Sequence, residues 1–206
     1  MSYDKYNLNT GDLLLFNNKD EKSWFKYFTD IIKWGTHSNY SHIAMILKDP
    51  TFLHPTLKGY YVWESSYEGK PDPQDNKIKL GVQITPLTEI LNAYPNGIVN
   101  VRKLQGIQED TFSNELMSNI HDVAYDKPYD IIPNDWINAL FKHDNNPQKT
   151  DRFWCSALIG YIYTRLGILK NNTDWSILTP NDFSLSGENI HFNKPYSLSN
   201  VIFRIK

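Results

Sequence analysis

A single cysteine, Cys155, occurs in the 206 residues, so neither an intramolecular disulfide framework nor a cysteine-rich zinc site is available. Basic charge is not in excess either: 21 Lys and Arg stand against 23 Asp and Glu, for a formal net charge of −2. That balance lacks the footprint of a nucleic-acid binder, and no nucleic acid is expected as a partner. No run reaches the roughly 18 apolar residues that a membrane helix needs. The stretch Met1-Ser2-Tyr3-Asp4-Lys5-Tyr6-Asn7 has no apolar signal core, so an intracellular, cytoplasmic location is expected. No two histidines have the i, i+4 spacing of a helical zinc site, and His37 and His42 are five apart. Neither a metal nor a cofactor is expected.

What is present argues for a folded domain. Hydrophobic residues make up 40% and aromatic residues 14%, against 21% charged, which is far from a disordered composition. The length suits one core, and no repeat or low-complexity segment divides it, so residues 1–206 read as one domain. Glu68 to Asn76 reads as a long exposed loop within it, and a second polar stretch, His143 to Lys149, precedes the cysteine segment.

Leu13-Leu14-Leu15-Phe16, released by Asn9-Thr10-Gly11-Asp12, reads as a buried strand. Ser23 caps a helix running to about Trp34. Strands follow over Ser41–Leu47, Tyr60–Ser65, Val82–Thr85 and Ile98–Val101, with a short helix at Pro86–Leu91. Thr111–Tyr125 reads as an amphipathic helix whose stripe is Phe112, Leu116, Ile120 and Val123. Phe153–Leu166 reads as a second, with Leu158, Ile162 and Leu166 on one face and Gly167 ending it. Val201–Ile205 closes the chain as a strand. Strands gathered in the middle with helices on either side predict an α+β domain.

A lone cysteine is usually a small buried hydrophobe. Cys155, however, falls in the first turn of the Phe153–Leu166 helix, where free N–H groups and the helix dipole favour a thiolate and could hold an oxyanion. A base would then be needed. Of six histidines, His42 opens the apolar strand Ser41-His42-Ile43-Ala44-Met45-Ile46-Leu47, whereas His54, His121 and His143 read as surface or loop. The plain alternative for His42 is a core imidazole satisfied by one backbone carbonyl. Glu64 lies in the bulky strand Tyr61-Val62-Trp63-Glu64-Ser65 and is either an exposed edge residue or the group that orients the imidazole. Asp12 and Tyr40 flank strand ends and are candidate walls of a substrate site, with Ser156 beside the cysteine as a further candidate.

Four blocks in this order carry a resemblance: Gly11-Asp12-Leu13-Leu14-Leu15-Phe16, Ser41-His42-Ile43-Ala44-Met45-Ile46, Trp63-Glu64-Ser65 and Phe153-Trp154-Cys155-Ser156-Ala157-Leu158-Ile159. Together they resemble the permuted papain-like (NlpC-type) thiol hydrolases, a branch with lecithin-retinol-acyltransferase-like enzymes and uncharacterised bacterial and poxviral members. The cysteine helix comes last here, as in that branch. Counting Lys127-Pro128-Tyr129-Asp130 and Thr179-Pro180-Asn181-Asp182 as weaker outer motifs, the likeness runs from about Asn9 to Asp182. It implies a papain-like fold with a central antiparallel sheet packed against helices. It also implies Cys155 as nucleophile, His42 as base and Glu64 as orienter. Many permuted members carry glutamate where this chain has Ala157.

The expected activity is thiol-dependent hydrolysis or acyl transfer on an amide, ester or thioester, with an acylated small molecule, a lipid or a peptide as substrate. A peptidase or isopeptidase, or an inactive binding module of the same fold, are the alternatives. The aromatic segment Trp24–Trp34 packs as core or else forms a lid or a peripheral membrane contact.

Overall fold

The computed structural model describes residues 3–17, 40–130 and 148–206. The helix expected over residues 23–34 with its aromatic stretch, together with His37 and His143, lies outside the described residues. Among the described residues six strands form one antiparallel sheet: β1 (Leu13–Asn17), β2 (His42–Lys48), β3 (Tyr60–Ser66), β4 (Gly81–Pro86), β5 (Ile98–Gln105) and β6 (Ser197–Arg204). Their order is β4-β3-β2-β1-β5-β6. Among the described residues three α-helices join it: α1 (Leu87–Ala93), α2 (Asn114–Ala124) and α3 (Cys155–Arg165). The domain is α+β. No helix among the described residues is long and apolar enough to cross a membrane.

Both faces of the sheet are covered, which explains why β1 and β2 are apolar without alternation. Leu13, Leu15, Ile43, Met45, Trp63 and Ile84 face α2 and α3. Leu14, Phe16, Ala44, Ile46 and Val62 face Leu87, Ile90 and Leu91 of α1. Each fully buried Leu, Ile or Phe contributes about 1.5–3 kcal/mol. Central strands with two such faces fix the register firmly, because a one-residue slip would exchange them.

Several sequence expectations shift by a turn or a face. The amphipathic helix starts at Asn114, three residues late, because the Ser113 hydroxyl accepts the Leu116 N–H at 3.4 Å and caps it. Its buried stripe is Met117, Ile120 and Ala124, while Val123 is exposed. Phe112 lies ahead of the helix and packs on the core from there. In α3 every residue from Cys155 to Tyr163 is buried, not one face alone. The sheet covers one side, and the short 3-10 turns Trp175–Ile177 and Pro180–Phe183 supply Trp175 and Phe183, with Leu178 between them, to the core around it. Gly167 follows α3 at φ +69, the left-handed stop that was expected.

Candidate active site

β1 and β2 are registered so that Phe16 stands opposite His42, and the two rings lie 5.0 Å apart. His42 is the first residue of β2, so its imidazole sits where the sheet ends. β3 supplies Glu64, fully buried on the face opposite to that of Trp63. Its Oε2 lies 2.9 Å from His42 Nε2, and its Oε1 accepts a hydrogen bond from the Thr85 hydroxyl at 2.7 Å. A buried carboxylate requires such partners on both oxygens. The exposed-edge alternative for Glu64 is thereby overturned, and so is a His42 satisfied by a backbone carbonyl alone.

Cys155 arrives from the other side of the sheet. Two residues before it, Phe153 is pinned in a short parallel bridge with Tyr129. The Phe153 N–H donates to Pro128 O at 3.1 Å, and its carbonyl accepts both the Asp130 N–H at 3.2 Å and the Ser65 hydroxyl at 2.6 Å. Past this anchor, the Trp154 indole N–H and the Ser156 hydroxyl both donate to Leu178 O, at 3.2 and 2.6 Å. These bonds fix the N-terminus of α3 against the ends of β3 and β4. Cys155 is its first residue, with no side chain capping from Trp154. The sulfur thus meets the His42 ring around the sheet end and accepts a hydrogen bond from it. With Nε2 engaged by Glu64, Nδ1 is the nitrogen left for the sulfur.

Charge organises the group. Burial alone would push the His42 imidazole down. Hydrogen bonds to Cys155 and Glu64, with the charges of both, outweigh burial and push it up to about 10. At neutral pH the ring is an imidazolium beside the sulfur. The buried Tyr129 hydroxyl accepts the Cys155 N–H and donates to the Cys155 sulfur. Burial, then the charges of Cys155 and Asp130, raise this phenol well above its ordinary value, so it keeps its proton.

Cys155, His42 and Glu64 are therefore brought together, while the side chains of Asp12 and Ser156 are engaged elsewhere. Asp12 precedes β1 and lies at its far end, whereas His42 is opposite Phe16 at the near end. Its carboxylate instead closes a turn: it accepts the Asn9 N–H at 2.7 Å and the Leu104 N–H at 3.1 Å, and pairs with Lys103. Tyr40 packs against the core cluster that includes Cys155, and its hydroxyl accepts from the Asn100 amide at 3.3 Å. The Ser156 side chain is committed to Leu178 O. Tyr129 and Thr85 were not foreseen as site residues. The Lys127–Asp130 motif held the one sequence signal for Tyr129, without indicating that its hydroxyl meets Cys155.

Gly81 is where β4 meets the segment that delivers Tyr129 at closest range. Its φ is +150, and an added Cβ would lie 2.2 Å from Lys127 O and 2.8 Å from Pro128 Cα. Those atoms belong to the segment that delivers Tyr129, held by Val82 N–H to Lys127 O at 2.8 Å. Gly81→Ala should cost about 1–3 kcal/mol and lower the Tm in a thermal melt. It should also slow Cys155 labelling, because the displaced 127–130 segment carries Tyr129 and the backbone groups that hold Phe153. A melt unchanged from the parent would show that Lys127 and Pro128 yield freely.

No family model matches the chain, and no curated protein matches it. Five chains of solved structures do match. One is a crystal structure described as the metalloprotein yiiX from Escherichia coli O157:H7, DUF1105. It aligns with a TM-score of 0.52 at 16% identity, over 93% of this chain and 96% of that one. The likeness is one of fold. The word metalloprotein belongs to that protein; among the described residues here, no three or more His, Cys, Asp or Glu side chains form a group that could hold a metal ion.

Proposed function

We propose that the protein is a cysteine-dependent hydrolase or acyltransferase of the permuted papain-like kind, acting on an amide, ester or thioester bond. The observation that carries this reading is His42, bonded on one side to Glu64 at 2.9 Å and on the other to Cys155. Buried imidazoles need only one or two partners of any sort. One held between a carboxylate and the sole thiol, at the N-terminus of a helix, has the arrangement that nucleophilic catalysis requires.

In the proposed cycle the Cys155 thiolate attacks the acyl carbonyl. The oxyanion that forms is held at the N-terminus of α3, by the unpaired backbone N–H groups of its first turn. The His42 imidazolium gives its proton to the departing amine, alcohol or thiol, leaving an acyl-enzyme. Neutral His42 then takes a proton from water or another acceptor, whose oxygen, nitrogen or sulfur attacks the thioester and frees Cys155. Glu64 holds the ring in place throughout and stabilises its cationic form.

The test is a panel of acyl esters, acyl thioesters and isopeptides, lipid and peptide members included, run beside Cys155→Ala. Turnover of at least one class that disappears in Cys155→Ala is expected. No cysteine-dependent turnover anywhere in the panel would favour a binding module built on the same fold.

A further inference from the structure

A cavity of about 240 Å³ opens between residues 172–178 and residues 189–191. Asn172, Thr173, Asp174, Asn189 and His191 form its polar lining, and Ile177 and Leu178 its apolar one. Of the described residues that line it, none belongs to the triad and none is lysine or arginine. The two stretches are tied together by the Lys170 N–H, which donates to His191 O at 3.0 Å, and by a bridge between Leu169 and Phe192. Asn172, Asn189 and His191 are exposed while Leu178 is buried, so a solute reaches the cavity directly from water.

Leu178 links this cavity to the nucleophile. Its carbonyl accepts the Trp154 indole N–H at 3.2 Å and the Ser156 hydroxyl at 2.6 Å, so one cavity residue holds both neighbours of Cys155. Its side chain rests on the same helix further along: a Cβ added at Gly160 would lie 2.8 Å from Leu178 Cδ1.

The lining also specifies a chemistry. Two amides, a hydroxyl, an imidazole and a carboxylate together donate and accept hydrogen bonds. Two of them are already oriented, Asp174 by the Ser176 hydroxyl at 2.6 Å and Asn189 by its amide bond to Asp182. An anion would meet Asp174 with no cation to offset it. A cation would use the acceptors and leave the amide donors idle. Two aliphatic residues are too little apolar wall for an acyl chain. Hydroxyl groups, each a donor and an acceptor, match the whole polar lining. The volume lies below the roughly 300–1,000 Å³ of drug-sized sites and suits a solute of monosaccharide size.

We propose that this cavity is an effector site for a small neutral polyhydroxy compound, whose binding raises the reactivity of Cys155 by fixing Leu178. The compound bonds to residues 172–174 on one wall and to Asn189 and His191 on the other, joining the two stretches. It therefore favours the arrangement in which both walls converge. With Leu178 fixed, Trp154 and Ser156 stay anchored to its carbonyl and Cys155 is held in place between them. The binding site goes beyond the proposed function, while its regulatory effect rests on Cys155 being the nucleophile.

Ligand-observed NMR on the full chain tests binding, with myo-inositol, D-glucose and D-ribose as probes and ethylammonium and inorganic phosphate as charged contrasts. At least one of the three polyols should bind saturably with a Kd of about 1 mM or tighter. Asp174→Ala and His191→Ala should each weaken that binding at least about fivefold, as the loss of one hydrogen bond does. His191 is exposed, so its replacement leaves the fold in place. With the polyol at saturation, iodoacetamide should alkylate Cys155 about fivefold faster, the thiolate forming a C–S bond as iodide leaves with its electron pair. Ser156→Ala, which removes one of the two bonds to Leu178 O, should keep the binding and reduce the acceleration. No saturable binding of any polyol, or tighter binding of ethylammonium or phosphate, overturns the effector site. Binding with an unchanged alkylation rate, or full acceleration in Ser156→Ala, overturns the regulation through Leu178. Alkylation no faster than in an unfolded control, with or without the polyol, overturns the nucleophile and leaves the binding result to decide the site by itself.

Discussion

Glu64→Gln is expected to slow cysteine-dependent acyl transfer by about 10²–10⁴-fold while leaving the fold intact. The amide keeps the size of the buried side chain and can still accept the Thr85 hydroxyl, now made at 2.7 Å. It loses the charge that favours the imidazolium, and an amide NH₂ turned toward Nε2 would select the wrong tautomer. His42 is held up to about 10 by Cys155 and Glu64 together, so the variant retains only the contribution from the sulfur. Thiol labelling at pH 7 should fall in Glu64→Gln and fall further in His42→Ala, which removes the imidazolium outright. The same shift has a stability consequence of definite sign. A folded-state value above the unfolded one, about 6.5, adds stability that is complete below pH 6.5 and is lost as pH rises through about 10. Wild type should therefore lose more Tm than Glu64→Gln between pH 7 and pH 10. Parallel Tm curves, with labelling rates equal to wild type, would remove Glu64 from the mechanism.

Asp72→Ala is expected to cost about 3–5 kcal/mol, which is a large part of the 5–15 kcal/mol typical of a domain. The Asp72 side chain is fully buried and accepts from Lys79 Nζ at 3.0 Å, from Ile84 N–H at 3.1 Å and from Gln74 N–H at 2.9 Å. Its removal leaves the Lys79 ammonium, itself 6% exposed, with Asp75 at 2.8 Å as its near partner. It also strips the acceptor from a β4 backbone donor. Adding Lys79→Met should recover part of the loss, since no buried cation then remains, although Ile84 N–H still lacks its acceptor. Urea denaturation of the three chains measures both effects. A loss below about 1 kcal/mol for Asp72→Ala would mean that water reaches and replaces these bonds.

The stretch from Glu68 to Asn76 illustrates how composition misleads. Its prolines, glycine and charges read as an exposed loop, and Gly69 and Lys70 are indeed exposed. Asp72, however, is 1% exposed, because a carboxylate that collects four donors is cheaper to bury than to strand half-paired. His121 departs in the same way. It reads as a surface residue of its helix, yet its ring packs beside Phe52, Trp63 and Tyr125 and its Nε2 meets Gln74. Helical spacing gives the angle between side chains, and the neighbouring sheet and loop decide which angle is inside.

By itself the sequence determined the local elements and the chemical cast. The apolar runs that became β1 and β2, Gly167 as the stop of α3, and Cys155 at the start of that helix all follow from spacing and propensity over a few residues. Such preferences act between chain neighbours and can be read there. Only the tertiary structure decided that Glu64 faces His42, that Asp12 lies at the wrong end of its strand, and that Tyr129 touches the sulfur. Each depends on strand register and on the pinning of Phe153 between Ser65 and the 128–130 segment. Those hydrogen bonds join residues dozens of positions apart, and no local pattern records them.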